Sequence, residues 1–466
     1  MPFTPFDNKE NELIQRLQNQ SGLMLAYQPG FGKGKKSIQV GEGLSLPSEV
    51  IVPAALKKNY EKEQVKWLGK IPENSEIKSQ ENIARHPELL SNNPNRLLIV
   101  DESQRMRNPA TKLYSALQHA NAKKRLLLSA TPSYNDPSNL ATQINFVANS
   151  QVLPTDKKEF NDRYVKSTNV NPGLFGRLMG VHPGVKRDLT NTDELSGILK
   201  KYVDYAEPNL ADYPTSKKET IKVPLGVNQQ ELYDTLLNKA NFWTRYKVRH
   251  NLPPTKSELK KMLPFLTGVR QSYLTNAPFT NDASKIEQPK IEQAAQYLKE
   301  RIAENPRYKG VVYSNYLNAG LKPYGDILKQ QNIPYGEFSG EVSNKQRNQA
   351  LNDYNAGKLK ALLVSGAGAQ GLDTKGTRLV QMLEPSWNKS LEQQIEGRAI
   401  RNHSHAELPL EERNVLIQRY LAEPRATGFF GNKPVGADEY ISNIAENKDR
   451  LNQQVYAILK RNAGIS

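Results

Sequence analysis

The sequence predicts an α/β protein in which two parallel-sheet units flank a mostly helical segment and a further helical segment lies near the C-terminus. Short apolar runs bounded by turn residues appear early in the 466-residue chain and again late in it. Helix-compatible stretches separate these runs. Between the two groups the pattern breaks, and Lys, Asn and Pro become frequent. Apolar runs that are too short for helices and are spaced by crossovers are typical of parallel strands in βαβ units.

Each sheet is predicted from its own set of apolar runs. The first set comprises LMLAY (23–27), EVIVPA (49–54), RLLIVD (96–101) and RLLLSA (125–130). The second set comprises GVVYSN (310–315), YGEFSG (335–340), ALLVSG (361–366), RLVQML (378–383) and NVLIQRYLA (414–422). The spacing of apolar residues predicts helices within 228–250, 257–270 and 437–462.

These patterns divide the chain into four segments. Residues 1–148 form the first sheet unit, 149–285 a helical insertion or linker, 286–425 the second sheet unit, and 426–466 a C-terminal helical extension. The sequence contains no internal repeat and no low-complexity tract. The two sheet units can therefore share a fold without sharing a sequence.

The composition excludes several classes of protein. Cysteine is absent, which excludes disulfides, thiol catalysis and Cys-ligated zinc. No apolar run reaches the roughly 18 residues of a membrane-spanning helix, and the N-terminus has no secretory signal pattern. We therefore expect an intracellular protein that has no membrane partner.

The charge balance indicates a polyanionic partner. Lys and Arg total 64 against 48 Asp and Glu, which gives a net charge of +16. An excess of this size is typical of proteins that bind nucleic acid. The alternative is a charge that serves solubility alone.

A glycine-rich turn follows the first predicted strand, where residues 27–37 are YQPGFGKGKKS. Backbone N–H groups of such a turn can surround phosphate oxygens, the following helix adds positive potential, and a lysine can reach the β- and γ-phosphates. A tight turn with solvated lysines is the alternative. The candidate cradle residues are Gly30, Phe31, Gly32, Lys33, Gly34 and Lys35.

Two registers of this loop are open. In the first, Lys33 grips the phosphates, and Gly34 replaces the usual hydroxyl residue. In the second, Lys36 and Ser37 form the Lys-Ser pair, and Lys35 replaces a glycine. We favour the first register because its lysine lies at a suitable distance from the strand and because Lys35 would crowd the backbone turn. The first register lacks a hydroxyl ligand for Mg²⁺, which a water molecule can replace.

An acidic pair ends the third predicted strand. Asp101 can hold Mg²⁺ through water, and Glu102 can orient and deprotonate the attacking water. The alternative is a pair of acids that cap a helix. The fourth predicted strand ends in SATP (129–132), whose small hydroxyl residues could sense the acidic pair; a plain helix cap is the alternative.

Two further motifs occur in the second unit. Residues 394–401 are QIEGRAIR, and residues 365–373 are SGAGAQGLD. Together with the loop, VIVPAAL (50–56), DESQ (101–104) and SATP, these motifs stand in an order that resembles the superfamily 2 helicases and translocases. The chain is most similar to the Swi/Snf-type ATPases, and to helicases and transcription ATPases of large DNA viruses and phages.

The resemblance implies a fold and a division of roles. It implies two RecA-like lobes that bind ATP and Mg²⁺ between them, with Gln394, Arg398 and Arg401 completing the site from the second lobe. Guanidinium groups there would neutralise charge that develops on the γ-phosphoryl group. Gly371 and Asp373 would couple the nucleotide to the nucleic-acid strand.

A basic segment with interleaved aromatic residues is the candidate nucleic-acid surface. Residues 239–270 contain eight Lys and Arg against a single acid, Glu258, and include Phe242, Trp243 and Tyr246. Such a segment offers stacking as well as charge. The alternative is a helical insert with core aromatics and solvated lysines. The candidate contacts are Arg245, Lys247, Arg249, Lys260 and Lys261.

Three functions remain open on the sequence. The first is an ATP-dependent translocase or helicase that moves along DNA, which we favour over RNA. The second is a viral transcription or genome-handling ATPase that remodels protein–DNA contacts without unwinding, and it would work with viral or phage replication or transcription proteins in a cell or a virion. The third is a nucleic-acid-binding scaffold that does not hydrolyse ATP.

Overall fold

The computed structural model describes residues 7–28, 31–133, 136–170, 184–207, 211, 213–366, 372–425 and 435–465. The chain forms two compact units. The first consists of Met1–Ser167, Arg187–Pro208 and Lys448–Ser466, and the second of Thr168–Lys186 and Asn209–Asn447. Each unit contains one six-stranded sheet.

The first sheet is parallel throughout and has the strand order β3-β2-β4-β5-β1-β8. Its strands are β1 (Gly22–Tyr27), β2 (Ser48–Val52), β3 (Ser75–Ser79), β4 (Leu97–Val100), β5 (Lys124–Ser129) and β8 (Val203–Ala206). A separate two-stranded sheet pairs β6 (Val165–Val170) with β7 (Gly184–Leu189).

Eight helices accompany these strands in the described part of the chain up to Ala206. They are α1 (Asn8–Asn19), α2 (Lys33–Leu44), α3 (Lys57–Leu68), α4 (Gln80–Arg85), α5 (Lys112–Gln118), α6 (Asn139–Ala148), α7 (Lys157–Tyr164) and α8 (Thr192–Tyr202). Most of them lie between consecutive parallel strands, as crossover helices do.

The second sheet is also parallel, with the order β11-β12-β10-β13-β14-β9. Its strands are β9 (Thr215–Pro224), β10 (Gly310–Tyr313), β11 (Tyr335–Phe338), β12 (Ala361–Val364), β13 (Leu379–Met382) and β14 (Asn414–Glu423). The helices that follow β9 are α9 (Val227–Lys239), α10 (Phe242–Arg249), α11 (Lys256–Leu274), α12 (Pro289–Glu304), α13 (Lys322–Gln330), α14 (Asn344–Asn355), α15 (Lys389–Ala399) and α16 (Ala437–Asn462).

Both sheets are buried on their two faces, which explains why their central strands are continuous apolar runs. In β1, Met24 packs into one apolar cluster, whereas Leu23 and Leu25 pack into another. In β10, Val312 and Val311 likewise contribute to different clusters. Successive side chains of a strand point to opposite faces, so both faces must be apolar when helices cover both. None of the described helices is long and apolar enough to cross a lipid bilayer.

The segment 149–285 differs from the helical insertion expected for it, because it also supplies a strand to each sheet. β8 pairs with β1 in the first sheet, and β9 pairs with β14 over ten residues in the second. β9 is an edge strand whose sequence, TSKKETIKVP, is largely exposed. Charged, lysine-rich sequence is common at sheet edges because it discourages further pairing, and it carries no apolar signal.

Candidate active site

The glycine-rich turn lies at the carboxyl edge of the first sheet. β1 ends at Tyr27 and α2 begins at Lys33. Gly32 caps this helix with a φ of +81°, a left-handed conformation that suits glycine. Phe31 packs edge-on against Tyr27, with 4.8 Å between ring centroids, and this contact anchors the turn. Gly30 lies outside the described residues.

The acidic pair reaches the same edge from β4. β5 lies between β1 and β4 in the sheet, so the carboxyl ends of all three strands are close together. In open parallel sheets ligands bind outside these carboxyl ends. The loop, DESQ and SATP, which are far apart in sequence, therefore converge in space.

Lys33 bridges the two carboxylates. Its Nζ lies 2.9 Å from Glu102 Oε1 and 3.3 Å from Asp101 Oδ1. Burial alone would lower the pKa of Lys33, but the two carboxylates outweigh it and the pKa is raised. Burial raises the pKa of Asp101, the Lys33 ammonium opposes this, and the balance remains upward. The site thus holds one lysine and two acids in a poorly hydrated setting.

The backbone at Glu102 adopts a left-handed conformation, with a φ of +50°. This conformation is uncommon for a residue with a side chain and costs on the order of 1 kcal/mol. The Glu102 N–H donates to Asp101 Oδ1 at 2.8 Å, which ties the two acids together. Strain of this kind is concentrated at functional sites, and here it accompanies the placement of Glu102 beside Lys33.

A polar network connects the acidic pair to the end of β5. Gln104 Nε2 donates to Glu102 Oε2, and Ser129 Oγ donates to Gln104 Oε1 at 2.8 Å. Ser129 Oγ also accepts from the N–H of Thr131 at 3.1 Å. Gln104 thus links SATP to the acidic pair that it is expected to sense.

Two glutamines that the sequence analysis did not select hold the acidic segment in place. Gln80 Nε2 donates to the Asp101 carbonyl at 2.6 Å, and Ser103 Oγ donates to Gln143 Oε1 at 2.8 Å. Both glutamines are buried. They belong to α4 and α6, far from Asp101 in sequence, so no local pattern could have identified them.

The residues of the second loop register have structural partners. Lys36 is buried and pairs with Glu10, at 2.9 Å, and with Asp7. Ser37 Oγ donates to the Gly34 carbonyl at 2.8 Å and shares a hydrogen bond with the Tyr60 hydroxyl at 2.9 Å. These side chains fasten α2 to α1 and α3, whereas Lys33 alone of the two candidate lysines contacts the acidic pair.

Lys35 lies to one side of the acidic pair. Its Nζ is 5.0 Å from the centroid of the Trp67 ring and 3.9 Å from Glu10 Oε1. This arrangement ties the first turn of α2 to the end of α3 by a cation–π contact.

The donor set at this edge suits Mg²⁺ held partly by water. Asp101 and Glu102 provide carboxylate oxygens, and Gly34 provides no hydroxyl. Within the described ranges, no group of three or more His, Cys, Asp or Glu residues is placed to hold a metal ion on its own. Mg²⁺ commonly keeps several waters and shares one or two carboxylates with substrate phosphates, so the residues present fit this ion.

The arginine motif of the second unit lies on and just after α15. Gln394 and Arg398 are one helical turn apart and half-buried. The Arg398 carbonyl accepts from Thr374 Oγ1 at 3.1 Å, and Arg401 Nη1 lies 2.6 Å from Asp373 Oδ1. The two motifs of this unit are thus joined to each other, whereas Gly371 lies outside the described residues.

The opposite face of α15 is fixed by ion pairs of two buried glutamates, Glu392 and Glu396. Arg419 of β14 lies 2.9 Å from Glu392 and 2.6 Å from Glu396. Lys218 of β9 also contacts Glu396, at 2.6 Å. Since residues two positions apart on a helix are separated by roughly 200°, these pairs direct Gln394 and Arg398 away from the sheet.

The aromatic residues of the basic segment are exposed, which excludes the alternative in which they belong to a core. Phe242, Trp243 and Tyr246 of α10 are 61%, 63% and 41% exposed. Their rings contact one another, with centroids 5.5–6.2 Å apart. The opposite side of α10 is anchored by Val248, which is buried in a cluster with α9, α11 and the start of α16. Phe242 and Tyr246 are stacked, and Trp243 meets both rings edge-on, so the three rings form an aromatic platform. Exposed aromatic rings can stack on nucleic-acid bases.

The basic residues of the same segment have different environments. Arg249, Lys260 and Lys261 are exposed, and Arg245 is half-buried. Lys247 pairs with Glu258 at 2.7 Å. A further basic residue of the segment, Arg270, does not belong to the exposed surface: it is buried, donates to the Pro385 carbonyl at 2.5 Å and stacks on Tyr316.

The two parallel-sheet units, with a glycine-rich turn and an acidic pair converging at one sheet edge, define a nucleoside-triphosphate-binding protein of the two-lobed helicase class. Two family models match the chain: the SNF2-related domain over residues 54–273 and the helicase conserved C-terminal domain over residues 290–403. The chain belongs to the SNF2-related superfamily 2 helicases and ATPases. It is an SNF2-family nucleoside triphosphatase that acts on nucleic acid.

Viral proteins are among its relatives. The L538 protein of Acanthamoeba polyphaga mimivirus, named provisionally as an ATP-dependent RNA helicase, is 29% identical over 95% of this chain and 94% of its own length. The termination factor NPH-I homolog of African swine fever virus is 24% identical over 96% of this chain and 76% of its own length. Nucleoside triphosphatase I of Heliothis armigera entomopoxvirus is 24% identical over 95% and 76%.

Two solved structures match most of the chain at low sequence identity. The Sulfolobus solfataricus SWI2/SNF2 ATPase core, solved in complex with dsDNA, is 16% identical, with coverage of 100% of this chain and 99% of that chain and a TM-score of 0.38. The Pyrococcus furiosus Hef helicase domain is 13% identical, with coverage of 91% and 96% and a TM-score of 0.49. These TM-scores are low, and the family assignment does not depend on them.

Proposed function

We propose that this protein hydrolyses ATP with Mg²⁺ and uses the cycle to move along DNA. The observation that carries the proposal is the bridge from Lys33 to Asp101 and Glu102 at the carboxyl edge of a parallel sheet. Phosphoryl transfer needs a cation for the phosphates, a carboxylate for the metal ion and a carboxylate for the water nucleophile. These three groups meet at this edge.

Lys33 exchanges partners when the triphosphate binds. Its ammonium leaves the carboxylates for β- and γ-phosphate oxygens, while backbone N–H groups of Gly32, Lys33 and Gly34 surround the phosphates. Asp101 would then be free to hold Mg²⁺, which would neutralise phosphate charge.

Glu102 accepts the proton of the attacking water. The Gln104 amide holds Oε2 of this carboxylate, so Oε1 remains to face the water once Lys33 has moved. Ser129 fixes the amide in turn, which ties the position of the base to the end of β5.

The arginine motif contributes to the same reaction. Arg398 and Arg401 supply positive charge to the γ-phosphoryl group in the transition state, and Gln394 assists them. Asp373 holds Arg401 by an ion pair of 2.6 Å. Together with Gly371, Asp373 couples the nucleotide to the bound nucleic-acid strand. The half-buried, outward-facing side of α15 supports these roles.

The exposed aromatic platform of α10 and its basic neighbours bind the polynucleotide. Phe242 and Trp243 stack on bases, and Arg249, Lys260 and Lys261 contact phosphates. Charge and stacking together suit a strand whose sequence changes as the protein moves, because neither reads base identity.

We infer duplex DNA as the track because the SNF2-related model covers the acidic pair and the aromatic platform. A relative named as a termination factor homolog favours the second candidate, a viral transcription or genome-handling ATPase that remodels protein–DNA contacts without unwinding. A third candidate, a scaffold that binds nucleic acid without hydrolysis, is opposed by the intact Lys33, Asp101 and Glu102 arrangement.

Two assays run on the same protein separate these candidates. Displacement of a triplex-forming strand reports movement along a duplex, and separation of a forked duplex reports unwinding. We expect ATP-dependent triplex displacement without fork unwinding. Fork unwinding as efficient as triplex displacement would support a helicase. Failure in both assays, together with absent phosphate release, would support the scaffold.

A further inference from the structure

The loop lacks a hydroxyl group at position 34, and a carboxylate of a neighbouring helix occupies the space that such a side chain would fill. A β-carbon built on Gly34 would lie 2.0 Å from Glu63 Oε2 and 3.1 Å from its Cδ. Contacts below 3.0 Å do not occur between real atoms of this kind. A side chain at position 34 would therefore displace the Glu63 carboxylate from its present place beside the loop.

Two hydrogen-bonded helices set this placement. The Tyr60 hydroxyl of α3 bonds Ser37 Oγ of α2 at 2.9 Å. Glu63 lies one turn after Tyr60, and Gly34 lies one turn before Ser37, so antiparallel packing brings Glu63 to Gly34. At the far end, Lys35 and Trp67 hold the same two helices together through their 5.0 Å contact.

Glu63 also shares its surroundings with the acidic pair. Burial raises the pKa of the Glu63 carboxyl, the charge of Asp101 raises it further, and Lys66 and Lys33 oppose both. The carboxylate is half-buried. Within the described part of the chain, no hydrogen bond or ion pair engages it. An acid in this position has an oxygen available for a ligand of the loop.

We propose that Glu63 replaces the missing loop hydroxyl as an oxygen donor toward the Mg²⁺ of the bound nucleotide, directly or through a metal-bound water. This inference rests on the proposed ATP site. A hydroxyl is neutral, whereas a carboxylate is negative, so the replacement has a consequence for binding. Glu63 attracts the metal–nucleotide complex and repels the triphosphate that carries no metal ion.

The test measures binding of a fluorescent, non-hydrolysable ATP analogue to the full chain while Mg²⁺ is varied. For Glu63→Gln we expect the Mg²⁺ concentration at half-maximal binding to rise about tenfold or more, as is typical when a partner near a metal site is lost. We also expect tighter binding of the analogue in EDTA than the wild type shows. Glu61→Gln, on the same helix, is the control and should match the wild type.

A double variant separates this role from a structural one. Gly34→Ser alone should weaken Mg²⁺-dependent binding, because its side chain meets Glu63. Gly34→Ser combined with Glu63→Ala restores a hydroxyl and removes the acid, so it should recover the Mg²⁺ dependence to within about threefold of wild type.

The outcomes distinguish the inference from the proposed function. If the wild type binds the analogue with Mg²⁺ and Glu63→Gln leaves the Mg²⁺ dependence and the EDTA affinity unchanged, Glu63 has no role toward the metal and the ATP site stands. If the double variant binds the analogue with Mg²⁺ no better than Gly34→Ser does, the proposal that Glu63 replaces the loop hydroxyl is likewise overturned. If the wild type itself binds no nucleotide, the proposed function and this inference both fall.

Discussion

The side-chain amide of Gln104 donates to the Glu102 carboxylate and accepts from the Ser129 hydroxyl. This residue therefore connects the candidate general base to the strand end that lies between β4 and β1. A base that is held by a neutral donor keeps its negative charge and its orientation together. The position of Gln104 also explains how a change at the end of β5 can reach the water-activating group.

Replacing Gln104 by Ala should slow hydrolysis while nucleotide binding persists. The change releases Glu102 Oε2 and leaves Ser129 without its acceptor, so we expect kcat to fall about tenfold or more and the Kd of a fluorescent nucleotide to stay within about twofold. Gln118→Ala, at an exposed position of α5, is the control. A parallel loss of kcat and binding would show that Gln104 supports the site only as structure.

Replacing Arg398 by Ala should abolish turnover with little effect on nucleotide binding. An arginine that stabilises the transition state contributes roughly 10³–10⁵ in rate in related chemistry. Single-turnover phosphate release, measured beside nucleotide affinity, gives both quantities. Lys345→Ala, an exposed change in the second unit, should behave as the wild type. If Arg398→Ala abolished binding and left turnover per bound ATP intact, its role would be in substrate capture instead.

Reversing the charge of Lys260 and Lys261 should weaken DNA binding and flatten its salt dependence. Loss of two phosphate contacts should reduce the slope of log K against log salt by about 2, which a titration at several salt concentrations measures. Lys329→Glu combined with Lys345→Glu, at two exposed positions of the second unit, controls for net charge. An unchanged slope would place the phosphate contacts elsewhere.

The platform makes a separate, salt-independent contribution to the same binding. Trp243→Ala should weaken binding by about 1–3 kcal/mol at every salt concentration, and it should leave the slope unchanged because no charge is altered. Equal affinity of this variant and the wild type would remove α10 from the interface.

The second unit depends on a buried ion pair between Lys290 and Asp438. The two side chains are 1% and 0% exposed, and their charged atoms are 2.8 Å apart. Lys290→Met should lower the free energy of unfolding of this unit by about 3–5 kcal/mol, because it leaves the buried Asp438 charge without a partner. Urea unfolding followed by circular dichroism measures the loss, and Lys290→Met with Asp438→Asn should recover part of it. A loss no larger than that of the exposed change Lys329→Met would contradict this account.

Much of the architecture was predictable because buried parallel strands are continuous apolar runs. Nine such runs predict nine of the strands, and the motif order predicts the SNF2-related family. β3 and β9 escaped prediction, since an edge strand such as TSKKETIKVP is polar and has no apolar run. β8 is a buried strand of only four residues, and it lies far from its partner β1 in sequence. Its apolar run is therefore too short to predict a strand.

The candidate site was predictable where a motif places a residue at a strand end, as for Lys33, Asp101 and Glu102. It was not predictable where contact depends on how helices pack. Glu63 lies on α3 and reaches Gly34 only through the packing of α3 against α2. The burial of Arg270 likewise depends on the distant Pro385 carbonyl, so a count of basic residues could not separate it from exposed neighbours such as Lys260.

The most direct test of the central claim is phosphate release from ATP by the wild type and by Glu102→Gln, each with duplex DNA, single-stranded DNA, RNA or no polynucleotide. We predict that the wild type hydrolyses ATP and that duplex DNA stimulates it most. Glu102→Gln should bind the nucleotide yet fall by about 10² or more under every condition. Turnover of Glu102→Gln within twofold of the wild type, or no release by the wild type with any polynucleotide, would contradict the account.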